Sequence, residues 1–334
     1  MAQTDATLRV SEPHKANAAT RTVKTRKNWQ MAVTRFRHNP AAMAGLVLAV
    51  ISVITALIAP KIVPYDPTDT DFANINAWPS RDHFFGTDAS GSDIFSITLS
   101  ALRTSYIVAF IVILISITIG FAVGMAAGYF RGWVDAVCSR IIDALFAFPN
   151  IIVATLITGT FGVAMYKQFG PAGRLYLVVG ALSLFNWVGL GRIIRGEVLR
   201  LREQLYVEAS VVAGGTGWWI IRRHMLPNLL GIGVVFVSLN IGFALTLEAT
   251  LSYLGLGVTA PTPSLGRLIQ AGQSYIDPFW YQFLFPAIVL ALLILAYAFI
   301  GDGLRDALDP RQNVVRTRRA NRPTAVTDAE EETV

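Results

Sequence analysis

Five long stretches without a charged residue dominate this chain: Ala41–Pro60, Thr104–Phe130, Ala144–Tyr166, Leu229–Leu247 and Phe279–Gly301. About 20 helical residues, at about 1.5 Å each, cross the hydrocarbon of a bilayer. A sixth run, Leu175–Gly191, meets roughly the 17-residue lower limit if its flanks, Arg174 and Arg192, snorkel to the interfaces. Soluble helices this long would show a polar face, and these runs show none. The pattern predicts an all-α polytopic membrane protein with six transmembrane helices, near residues 41–63, 104–130, 141–166, 174–191, 229–251 and 279–301.

Composition agrees. Only 15% of the 334 residues are charged, against about 25% in a soluble domain. The first span starts after forty residues, too late for a cleavable signal peptide. A single cysteine, Cys138, excludes an internal disulfide and a cysteine-based metal cage. His14, His38, His83 and His224 are scattered, with none at metal-ligand spacing. A net charge of +6 could suggest a nucleic-acid partner. In a membrane chain the position of the charges says more, and it points to the lipid bilayer, with no nucleic acid.

With the N-terminus inside, 22 of the 28 Lys and Arg fall in inside segments. Lys61, Arg81, Arg103, Lys167, Arg174 and Arg267 stay outside. The positive-inside rule therefore predicts that both termini are cytoplasmic. Residues 1–35 are expected to be a disordered basic tail and 312–334 a mobile tail, around one membrane domain over 36–311. Trp29 to His38 mixes apolar and basic residues and suits either the inner membrane face or a plain basic flank. The outside loop from Lys61 to Arg103, with Pro64, Pro67 and Pro79, is expected to be mostly irregular.

The inside stop between spans four and five, residues 192–228, carries the most information. Val198, Leu201, Leu205, Glu208 and Val212 share one stripe at helical spacing. Glu208 would be a carboxylate in an apolar face, needing a cation or a helix N-terminus. Gly214-Gly215-Thr216-Gly217 breaks the helix. A short second piece, Trp218 to Arg223, follows, and Pro227 stands in the first turn of span five. Taken alone, this is an amphipathic hairpin resting on lipid or a docking element for a cytoplasmic protein.

Glu208-Ala209-Ser210, Gly214 and Leu226-Pro227 resemble the coupling motif of ATP-binding-cassette importer permeases, with Ser210 in place of a second alanine. His224 stands where many such permeases carry isoleucine, but Arg223-His224-Met225-Leu226-Pro227-Asn228 is similar to the form used by the peptide branch. Four further elements are similar to the oligopeptide, dipeptide and nickel branch. They are Phe85-Gly86-Thr87-Asp88 with Gly91 and Asp93, and Ala127-Gly128-Tyr129-Phe130 with Gly132 and Asp135. The others are Glu248-Ala249 through Ser252-Tyr253-Leu254-Gly255-Leu256-Gly257, and Gly301 through Arg311. Ser92 replaces the usual arginine of the first. Together they span about residues 35 to 311 and resemble a C-type permease subunit.

That resemblance implies a type I importer permease fold in a bacterial plasma (inner) membrane. It implies a second, homologous permease subunit, two ATP-binding subunits and an extracytoplasmic peptide-binding protein. The cargo would be dipeptides or oligopeptides, with nickel complexes, glutathione or another small solute as the alternative. Glu208, Ala209, Ser210, Gly214, Leu226 and Pro227 would couple the chain to the ATPases. No cofactor is expected in this chain, ATP and Mg being held by the partners.

None of the five lysines follows a glycine, so the Gly-Lys-Ser/Thr core of a phosphate-binding loop cannot be built. No nucleophile–base set stands out, and the chain is not expected to be an enzyme. A stand-alone secondary transporter would place ionisable groups at mid-membrane. Here only Asp143 and Glu248 lie near span ends. Glu248 suits either a partner for an outside arginine such as Arg267, or for span-end backbone, or a polar point on the pore wall. Gly120, Gly124 and Gly128 predict a close helix-packing face.

Overall fold

The computed structural model describes residues 28–308, and the expected tails otherwise lie outside the described residues. Among those residues six helical runs are long and apolar enough to cross a membrane. They are Pro40–Ile62, Ile94–Phe130, Asn150–Phe169, Pro171–Arg202, Gly217–Tyr253 and Tyr281–Leu308. All six overlap the expected spans, but four boundaries move for physical reasons.

Helix α1 (Asn28–His38) precedes α2 (Pro40–Ile62), so regular structure begins before the expected tail boundary at residue 35. Asn39 separates them and caps α2, its Oδ1 accepting from the Ala41 and Ala42 amides, with Pro40 in the first turn. Phe36 of α1 reaches Gly303, where any side chain would collide with Ala42.

Helix α3 (Ile94–Phe130) starts ten residues before the expected span, capped by the Asp93 carboxylate on the Ser96 amide at 2.8 Å. The loop ahead of it is irregular apart from a single turn at Phe72–Asn74. Expected span three divides. Helix α4 (Gly132–Phe146) is separate from α5 (Asn150–Phe169), because proline disfavours helix in the residue before it and Pro149 is extended at ψ 118°. The membrane segment therefore starts at Asn150 rather than near 141.

The short expected span four is the reverse case. Helices α6 (Pro171–Asn186) and α7 (Val188–Arg202) join through Trp187, which keeps helical dihedrals. Arg192 and Arg195 mark where lipid ends, not where the helix does. Its most apolar 18-residue stretch is 67% buried, whereas that of α5 is 17% buried.

Helices α8 (Leu205–Val212) and α9 (Gly217–Ile220) follow, and α9 continues into α10 (Leu226–Tyr253). The expected break before span five is absent. A π-turn over Ile221–Met225 bridges the two, with the Leu226 amide donating to the Ile221 carbonyl five residues back. A π-bulge changes the hydrogen-bond register locally, next to a proline that has no N–H to give. After α10 come α11 (Leu265–Gln273), α12 (Ile276–Phe279) and α13 (Tyr281–Leu308). Around α3 pack α7, α10, α2 and α6, while α13 closes against α2 and α10.

Close approach between α3 and α7 rests on the expected glycine face. A Cβ on Gly120 would sit 2.9 Å from Leu190, on Gly124 2.7 Å from the Gly191 carbonyl, and on Gly128 2.7 Å from Val198. Small residues let the two backbones come together where apolar side chains alone would hold them apart.

Candidate functional site

The loop between α7 and α10 is built on a buried apolar floor. Val198, Leu201, Val207, Ile220, Ile221, Met225 and Leu229 are buried together with Leu190 and Ile194. The side chains that point away are equally apolar. Leu205 is 83% exposed, Val212 88% and Trp218 70%, and Tyr206, Val211 and Trp219 are also exposed. Burying such side chains is worth roughly 1.5–3 kcal/mol each, so an outward apolar face at this end of the bundle is a surface made to be covered.

Glu208 and Ala209 are exposed in the middle of that face. The expected single stripe does not form, because Glu203 and Gln204 interrupt the helix between α7 and α8 and reset its phase. Val198 and Leu201 point in, Leu205 and Val212 point out, and Val207 is the anchor of α8. Glu208 has no ion-pair or side-chain hydrogen-bond partner among the described residues. Two nearby arginines are engaged elsewhere. Arg200 pairs with Glu197 at 2.7 Å. Arg202 donates to the Tyr129 carbonyl at 2.6 Å and lies over the Tyr129 ring.

Gly214 closes α8 at φ 84°, a conformation that costs a side-chain-bearing residue about 1–2 kcal/mol. The Gly214 amide donates to Val211 and the Gly215 amide to Ser210, both at 3.0 Å, which is the Schellman arrangement. Nothing lies within 4 Å of a Cβ built on Gly214, so its requirement is backbone geometry alone. Ser210 donates to the Tyr206 carbonyl at 2.7 Å and meets His224 Nε2 at 3.3 Å. Leu226 is half-buried and Pro227 exposed, one turn beyond His224 on the same continuous helix.

The sequence signal missed the support beneath the loop. Tyr129, the end of the Ala-Gly-Tyr-Phe element, packs against Gly217 so tightly that a Cβ there would lie 2.7 Å from its ring. Asp135 of α4 takes a bidentate grip from Arg195 of α7, at 2.5 and 2.9 Å. The Arg195 bond holds the Asp135 carboxyl below the usual carboxylate range. Asp143, read as a stray charge in a span, instead pairs with Arg192 at 2.7 Å on α4, outside the membrane run.

Glu248 is fully buried in this conformation, and Arg267 is not among its partners. Three serine hydroxyls donate to its carboxylate: Ser105 of α3 at 2.8 Å, Ser252 one turn on at 2.8 Å, and Ser264 at 2.9 Å. Ser264 heads α11, so the carboxylate ties three elements together where the spans end. The Ser-Tyr-Leu-Gly-Leu-Gly element completes this knot, as a Cβ on Gly257 would fall 2.2 Å from the Ser252 hydroxyl.

The Phe-Gly-Thr-Asp element does similar work. Gly86 turns the chain at φ 75°, Phe85 stacks on Phe285 at 4.3 Å, and the Thr87 amide donates to Ala77 at 3.0 Å. Tyr281 and Gln282 then bond this loop to the start of α13 through Asn76, Ala77 and the Thr87 carbonyl.

Comparison with known proteins agrees with this arrangement. Residues 119–314 match the model of the binding-protein-dependent transport system inner membrane components. The chain belongs to that family. Residues 27–79 match the N-terminal transmembrane domain of oligopeptide transport permease C. The oligopeptide transport system permease protein OppC of Bacillus subtilis (strain 168) is 35% identical over 303 residues, 90% of this chain and 96% of the relative. OppC of Escherichia coli (strain K12) is 38% identical over 291 residues, 86% of this chain and 93% of the relative. The glutathione transport system permease protein GsiD of Escherichia coli O1:K1 / APEC is 34% identical over 289 residues, 86% and 92% of the two chains. With its six apolar helices, this transport-system component is a multi-pass protein of the bacterial inner membrane.

Proposed function

We propose that this permease moves dipeptides and oligopeptides across the plasma membrane as one half of an ATP-driven pore. A second, homologous permease subunit forms the other half. Two ATP-binding subunits hold ATP and Mg and drive the cycle, and an extracytoplasmic binding protein delivers the peptide. This chain carries no cofactor and transmits force through residues 203–227.

The observation that carries the reading is the exposed apolar face of α8 and α9 with the unpartnered Glu208 at its centre. A cytoplasmic ATPase groove would cover that face and supply a cation to Glu208. Glu208, Ala209, Ser210 and Gly214 form the contact, and Leu226 and Pro227 carry its movement into α10. By the alternation of six spans, the loop lies at the same end as α1 and the end of α13. The arginine asymmetry supports a cytoplasmic position for that end and for both termini.

Peptide cargo is supported by the permease C match and by the OppC relatives. Glutathione is the second reading, supported by the GsiD relative. Uptake by the assembled importer, with trialanine and glutathione as competing substrates, separates the two. Trialanine uptake that glutathione does not compete away supports the first; the opposite pattern supports the second.

A further inference from the structure

A cavity of about 200 Å³ opens where α4, α5, α6, α7 and α10 meet. Its wall carries three asparagines, Asn150, Asn186 and Asn240, set among Phe146, Phe185 and Phe236. No charged residue lines it. Asn186 falls inside the uncharged run Leu175–Gly191 and Asn240 inside Leu229–Leu247, so both belong to the apolar spans.

Polar side chains in such spans are costly unless bonded. Asn186 is 7% exposed and donates its amide to the Ser116 hydroxyl at 3.1 Å. Asn240 donates to the Phe236 carbonyl one turn back at 2.9 Å. In both, the side-chain carbonyl oxygen takes no hydrogen bond from the described residues. Asn150, at the first position of α5, makes no side-chain hydrogen bond with them at all. Each amide is thus tethered or placed by the protein while its acceptor is left to the cavity. A structural asparagine in a span would use both ends on neighbouring helices.

We propose that this cavity is a transit subsite for the backbone of a peptide. The asparagine carbonyls accept from peptide N–H groups, Asn150 offers both donor and acceptor, and the phenylalanine rings line the path without selecting a charge. The inference rests on the peptide-import reading above. Backbone recognition by neutral amides tolerates any side-chain sequence, which a carboxylate or guanidinium would not. The volume suits a short stretch of extended chain in passage rather than a whole peptide held at rest.

The test uses the assembled importer in proteoliposomes, with its binding protein outside and trialanine as the probe. Asn150→Leu and Asn240→Leu are each compared with Asn240→Gln, which keeps the carbonyl. The expected result is a roughly three- to tenfold slower trialanine uptake in both leucine variants, the range one lost hydrogen bond commands. All subunits remain in the complex, stimulation of ATP hydrolysis by the loaded binding protein stays near wild type, and the glutamine variant stays close to wild-type uptake. Wild-type uptake in both leucine variants overturns the subsite alone. So does loss of the second permease subunit from both, which makes the cavity a subunit contact. Absence of trialanine uptake by the wild-type importer overturns the peptide reading itself, and the subsite with it.

Discussion

The hydroxyl of Ser210 lies 3.3 Å from Nε2 of His224, so a polar contact links the docking helix to the helix that becomes span five. The contact joins α8 to the start of the span-five helix, beside Trp219, whose ring is centred 5.1 Å from the His224 ring. A polar pair therefore stands at the hinge between the docking face and the span.

That pairing predicts non-additivity. Ser210→Ala and His224→Ile should each lower the thermal stability of the purified complex, and the double variant should lose less than the sum. Contacting residues show coupling of about 0.5–3 kcal/mol, and this partly exposed neutral pair should fall at the lower end. Strict additivity in a double-mutant cycle would show that the contact carries no energy.

Glu248 should behave as a structural clamp. Removing a buried acceptor of three hydroxyls leaves each of them unsatisfied, at about 1–3 kcal/mol per group. Glu248→Leu is therefore expected to lower the melting temperature and the yield of assembled complex, and to reduce uptake of every substrate alike. A change in preference between trialanine and glutathione with unchanged stability would return Glu248 to the pore wall.

The α3–α7 contact gives a compensation test. Gly128→Ala places a methyl 2.7 Å from Val198 Cβ and 2.9 Å from the Arg195 carbonyl. It should depress folding yield, and Val198→Gly in the same chain, which removes that Cβ, should restore part of it. Yield of detergent-stable protein is the readout, and no rescue would mean that the backbone clash with Arg195 dominates.

How much of this was legible in the sequence depends on how local each feature is. Apolar runs of 17 residues or more found all six spans, because charge-free length is a property of one segment. Gly214 was legible as a helix stop, and the structure gives it a positive φ and both Schellman bonds. The stripe through Glu208 was misread because periodicity was carried across Glu203 and Gln204, where the helix ends. The division of span three at Pro149 was signalled by the proline itself, yet lost inside an uncharged run. Glu248 needed Ser105, 143 positions away, and the Asp135–Arg195 pair spans 60 positions, so neither is visible to spacing rules.

The Asp135–Arg195 pair has a defined pH behaviour. A carboxyl held below its ordinary value contributes stability that is fully present above the unfolded carboxylate range, about pH 4. The contribution is lost as pH falls further, through the folded value. This pair should therefore add no pH dependence to melting of the complex between pH 6 and 8. Both groups are partly exposed, which keeps the contribution small. Asp135→Asn should flatten only the acid limb of a stability–pH curve, and a change confined to neutral pH would contradict the assignment.

Orientation is open to direct labelling. In a Cys138→Ala background, a cysteine at Gly214 and one at Pro261 should react on opposite sides of the membrane with an impermeant thiol reagent in intact cells. Pro261 is expected to label from outside and Gly214 only after permeabilisation. Labelling of both from outside would remove the basis for the docking face.

The docking face itself is tested most directly by retention of the ATPases. Glu208→Lys reverses a charge that has no partner among the described residues, and Gly214→Asp adds a charge and a strained φ at the edge of the face. Co-purification of the ATP-binding subunits, ATP turnover and trialanine uptake should be measured together on both variants. The expected result is intact membrane insertion with ATPases loosened from the complex, or retained but hydrolysing ATP without matching uptake. Wild-type values of all three measurements in both variants would contradict the account and leave residues 203–227 as a hairpin resting on the lipid surface.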